Sequence, residues 1–109
     1  MLDIRLYMLQ RLSALIMAPL VLVHIVVMIY AIQGGLSAAE ILGRTKGSLV
    51  WLLFYGTFVL AAAVHGSIGL RVVIHEMLGL KGHVLELLTW LMAISLAALG
   101  LYAVGAVTL

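Results

Sequence analysis

What most constrains this chain is where its charges are missing. Residues 12–39, 48–70 and 87–109 contain no Asp, Glu, Lys or Arg. Each run reaches or exceeds the roughly 20 residues with which an α-helix crosses about 30 Å of hydrocarbon. Inside lipid, an open segment satisfies its backbone N–H and C=O groups only by coiling on itself. The runs therefore predict an all-α membrane protein: one transmembrane domain over 1–109, with helices over about 12–32, 48–78 and 83–107.

Composition closes the alternatives. Only 9% of the residues are charged, against about a quarter in soluble domains, which must wet their surfaces. The formal net charge of +2 is small and dispersed, so nucleic acid is not an expected partner. There is no cysteine, which excludes disulfides, thiolate-ligated iron–sulfur clusters and thioether-attached haem. Any redox centre here must be held by histidine. The first apolar run is too long for a cleavable signal peptide and contains His24, so it reads as an anchor.

Residues 1–10 are mixed in character and suit an interfacial lead-in helix closed by Arg11. Pro19 removes one N–H within the first span and predicts a bend. Gln33-Gly34-Gly35 ends that span, and a short surface helix is expected after Ser37. Gly79 to Lys81 makes the second turn, and Glu86 is expected in the first turn of the last helix, where the helix dipole favours an anion. Arg5, Arg11, Arg71 and Lys81 lie on one side of this topology, and Arg44 and Lys46 on the other. The positive-inside rule then puts the N-terminus in the cytoplasm, across a bacterial inner membrane.

Polar residues at depth are the functional candidates. His65 lies six residues before Arg71, about 9 Å along the helix axis. An imidazole there must find a partner or remain an unsatisfied polar group in hydrocarbon. Two readings fit. His65 is the axial ligand of a b-type haem, with Gly66 and Gly69 giving the porphyrin room and Arg71 or His75 near its propionates. In the other reading it bonds a neighbouring helix, and the glycines only permit close packing.

His24 lies deeper and nearer the outer face, too far in depth from His65 for both to bind one iron. It is either a buried hydrogen-bonding residue or the ligand of a second haem. His75 and His83 fall in or near the polar turn. Arg11 and Ser13 stand where the first span enters the membrane. They either meet the carbonyl oxygens of a quinone or, for the arginine, snorkel to lipid phosphates.

Two motifs carry a resemblance. His65-Gly66-Ser67-Ile68-Gly69-Leu70-Arg71, leading to Glu76, resembles the H-x-x-x-G-x-R…D signature of the small cytochrome b anchor subunits of succinate dehydrogenase and fumarate reductase. Arg11-Leu12-Ser13-Ala14 resembles the R-x-S-G opening of their first helix. Ala14, Val72 and Glu76 depart from the family's glycine, histidine and aspartate, and Met77 stands where the sister anchor subunit usually has a quinone-binding tyrosine.

The resemblance implies half of a helical bundle completed by a second anchor chain, homologous or identical. It implies docking of an iron–sulfur subunit and a flavoprotein subunit, with one haem b or two shared between chains. Electrons would pass between the iron–sulfur subunit and membrane quinone, with no substrate oxidation on this chain. His65 matches the axial ligand, His24 the first-helix ligand of two-haem members, Arg71 a residue near the propionates, and Arg11 and Ser13 the quinone pocket. A small transporter or a purely structural assembly subunit is the alternative. The transporter reading lacks a membrane-embedded carboxylate, since no Asp or Glu falls within the three runs.

Overall fold

The computed structural model describes residues 3–109. They form four helices: α1 (Ile4–Gly34), α2 (Ala38–Thr45), α3 (Leu49–Leu78) and α4 (Gly82–Thr108). No strand occurs among the described residues, and α1, α3 and α4 are each long and apolar enough to span a membrane.

The boundaries of α3, and the short α2 with Ser37 as its N-cap, match the sequence expectation. The start of the first span does not. In place of a separate lead-in closed at Arg11, α1 runs unbroken from Ile4, and Asp3 caps it by accepting the Leu6 N–H at 2.9 Å. Arginine is a good helix former, so Arg5 and Arg11 mark a hydrocarbon boundary without ending the helix. The first two positions of the predicted lead-in, Met1 and Leu2, lie outside the described residues. The helix also continues through Pro19.

α3 is the central element, packed against α1 on one side and α4 on the other. Both pairs are antiparallel: residues 10, 13 and 24 of α1 meet 69, 65 and 58 of α3. Likewise 59, 66 and 71 of α3 meet 100, 96 and 86 of α4. Three of the four residues buried on α3, Ala61, Ala63 and Ser67, are small, and the fourth is Ile68. Between membrane helices the contact comes from close backbone approach, which small side chains permit. Gly100 shows the limit, since a Cβ there would collide with Val59.

The turns are locally encoded. Gly79 ends α3 in the left-handed region at φ 68°, where glycine carries no Cβ penalty. His75 then donates its Nδ1 proton to the Leu80 carbonyl at 2.7 Å, tying the turn to the helix. At the opposite end α2 covers the C-terminus of α4. The Thr45 hydroxyl donates to the Val107 carbonyl at 2.7 Å and the Gly47 N–H to Thr108 at 2.7 Å. These donors satisfy carbonyls that the last turn of any helix leaves unpaired.

The chain exposes 7454 Å², against about 5,900 Å² expected for a compact soluble monomer of this mass. Large aliphatic side chains cover most of that surface along all three long helices. Such a surface needs lipid or other membrane helices around it.

Candidate functional site

The α1/α3 seam carries the polar residues. Gln10 and Ser13 lie on one face of α1, and His65 and Gly69 on one face of α3, because residues three and four apart in a helix stack one turn above another. Antiparallel packing sets the two pairs opposite each other. Ser13 is 5% exposed. Its hydroxyl donates to the Gln10 carbonyl at 3.0 Å and lies 3.4 Å from His65 Nδ1. Nε2 of His65 makes no hydrogen bond among the described residues. The space beside Gly69 belongs to Gln10, whose Nε2 stands 3.6 Å from where a Cβ would be. Gln10 Oε1 is buried without a partner among the described residues.

Two residues beyond Gly69, Arg71 reaches from α3 to α4. Arg71 Nη2 pairs with Glu86 Oε1 at 2.9 Å, and Nη1 donates to Thr89 Oγ1 at 3.1 Å. Thr89 in turn donates to the Leu85 carbonyl at 2.7 Å. The Arg71 side chain is 12% exposed and that of Glu86 53%. Since α4 starts at Gly82, Glu86 falls beyond its first turn. It serves as the counter-ion of Arg71 and not as a partner of the helix dipole, which corrects its expected position. Arg71 Nε is buried and has no partner among the described residues. A cleft of about 190 Å³ opens here between the three long helices, lined by Leu9, Ser67, Arg71, Thr89 and Trp90 among others.

His24 occupies a different setting. Its ring packs edge-on against Phe58 at 5.2 Å and Tyr55 at 6.1 Å between centroids, next to Trp51 and Phe54. Its Nδ1 is buried and has no partner among the described residues.

Arg11 and Ser13, expected together, are separated. They are two residues apart, about 200° around the helix, so Ser13 faces α3 while Arg11 is exposed. The Arg11 guanidinium donates to Tyr7 Oη at 3.2 Å and lies 5.7 Å from the centre of that ring.

Over residues 2–105 the sequence matches the succinate dehydrogenase/fumarate reductase transmembrane subunit family. The chain belongs to this family. No curated protein and no solved structure gives a significant match. A succinate dehydrogenase/fumarate reductase transmembrane subunit is one component of a multi-subunit complex, and the three apolar helices here make it a multi-pass one.

Within this transmembrane subunit no cluster of three or more His, Asp or Glu side chains that could hold a metal occurs among the described residues. Its candidates are single imidazoles. Sequence reasoning did not find Thr89 and Glu86 as the partners of Arg71, although counting back across the Gly79 turn pairs them. Nor did it find Tyr7 as the partner of Arg11, although the two are four residues apart on one helix.

Proposed function

We propose that this subunit is the haem b-binding membrane anchor of a succinate dehydrogenase/fumarate reductase-like complex. In this reading it passes electrons between the iron–sulfur subunit and membrane quinone, with its N-terminus in the cytoplasm of a bacterium. The observation that carries the proposal is His65. Its ring sits in the middle span with Nδ1 against a buried hydroxyl and Nε2 unpartnered, the arrangement of an imidazole that can ligate.

When bound, haem supplies a one-electron relay across the hydrocarbon. The chain's residues hold and orient it. His65 would present Nε2 to it, and a second anchor chain, homologous or identical, would complete the site. Gly66 keeps α3 close to α4, with Leu96 3.7 Å from its missing Cβ, and Gly69 keeps it close to α1. Arg71 places a positive charge at the cytoplasmic end for the propionates: Glu86 and Thr89 engage its two terminal nitrogens, and Nε stays buried and unpaired among the described residues. Arg11, steadied by Tyr7, offers a cation to a quinone carbonyl at the membrane edge. Ser13 turns away from that pocket. A second haem at His24 would need its orienting group from the partner chain, because none on this chain reaches Nδ1.

The test is a reduced-minus-oxidised spectrum of the purified complex. It should show b-type bands, and His65→Ala should remove one set of them. A blank wild-type spectrum would move the transporter or structural reading ahead. For quinone, Arg11→Ala should impair quinone reduction while dye-linked dehydrogenase activity of the soluble subunits stays intact. Equal loss of both would rule out a quinone role for Arg11.

A further inference from the structure

We infer that Ser13 is the positioning residue that fixes His65 in the tautomer able to ligate. The inference rests on the haem-anchor reading. A serine hydroxyl has one hydrogen and two lone pairs. Here the hydrogen goes to the Gln10 carbonyl, 3.0 Å away in the preceding turn. What the hydroxyl turns towards His65 Nδ1, at 3.4 Å, is therefore a lone pair. Nδ1 must carry the proton to use it. The lone pair of the imidazole is then on Nε2, the nitrogen without a partner. With Ser13 5% exposed, no solvent competes for the contact. At 3.4 Å the contact is long for a hydrogen bond, and such bonds tighten when the site is filled.

Gln10 and Gly69 belong to the same device. The Gln10 carbonyl holds the Ser13 hydrogen, and the Gln10 amide fills the space left by Gly69 at 3.6 Å. A Cβ at 69 would only touch that amide, whereas a larger side chain would press on the turn that aims the hydroxyl. Metal-bound histidines commonly donate their second N–H to a carboxylate, carbonyl or water, which fixes the ring and raises its basicity. A neutral hydroxyl does the same more weakly. Electron donation to iron favours the oxidised state, so loss of the acceptor should shift the couple towards the reduced state.

The experiment compares Ser13→Ala, Ser13→Cys and Ser13→Thr in the purified intact complex. The readouts are haem content, the midpoint potential of the His65 haem and its low-spin EPR spectrum. Alanine and the nearly isosteric cysteine should retain haem, raise the potential by about 59 mV, a tenfold change in a one-electron equilibrium, and move the EPR g values. Threonine, which keeps the hydroxyl, should resemble wild type. Wild-type potential and EPR in the alanine or cysteine variant would overturn the inference and leave the haem reading standing. So would failure of both to assemble while threonine assembles, since Ser13 would then be only a packing residue. An assembled wild-type complex without haem would overturn the haem reading itself, and this inference with it.

Discussion

The two intramembrane histidines sit in the same seam and are treated oppositely by it. His65 meets a buried hydroxyl that is already bonded to its own backbone, next to an arginine held by a carboxylate and a threonine. His24, eleven residues beyond Ser13 on α1 and so about 16 Å further along, packs in T-shaped contacts with Phe58 and Tyr55. One end of the seam is a polar chain that orients its imidazole, and the other is an aromatic nest that merely surrounds it. Depth in hydrocarbon makes both residues conspicuous. Only the neighbour across the seam separates an imidazole that this chain hydrogen-bonds from one that it does not.

The largest expected effect breaks that comparison outright. His65→Ala should abolish one set of b-type bands, whereas His24→Ala should leave that set unchanged in the same difference spectrum. Loss of the His65 bands on changing His24 would mean the two ends are not independent. At the polar end, Glu86→Leu strands the buried guanidinium of Arg71 with Thr89 alone. It should cost about 2 kcal/mol, read as a lower thermal denaturation midpoint of the complex in detergent.

In the aromatic nest the sign reverses. His24→Phe removes a buried, unpartnered nitrogen and should gain about 1 kcal/mol in the same melt. A loss instead would show that Nδ1 has a partner on another chain. Smallest is Thr45→Val, which releases α2 from the Val107 carbonyl. It should cost about 0.5 kcal/mol, with the haem spectrum untouched.

Much of the fold is legible because membrane segments announce themselves locally. The three uncharged runs, Ser37 as a cap and Gly79 as a stop each act within a few residues of their own position. The start of α1 was misread because charge marks where hydrocarbon begins, whereas Asp3 marks where the helix begins. The candidate site was legible as a set of residue types and not as a set of partners. Arg11 and Ser13 look adjacent in a motif, yet the helical turn sends one outward and the other into the seam. Glu86 looks like a helix-dipole residue until the arginine across the turn is known to face it.

By itself the sequence determined that this chain crosses a membrane as three helices, that it holds no cysteine-ligated redox centre, and that it belongs with the succinate dehydrogenase/fumarate reductase transmembrane subunits. Those properties follow from composition and short-range spacing. Tertiary structure alone decided which nitrogen of His65 is engaged, what Gly69 makes room for, and whom Arg71 pairs with. The reason is physical: each depends on residues brought from another helix, 52 positions away for Ser13 and His65, by a helix register that no local pattern records.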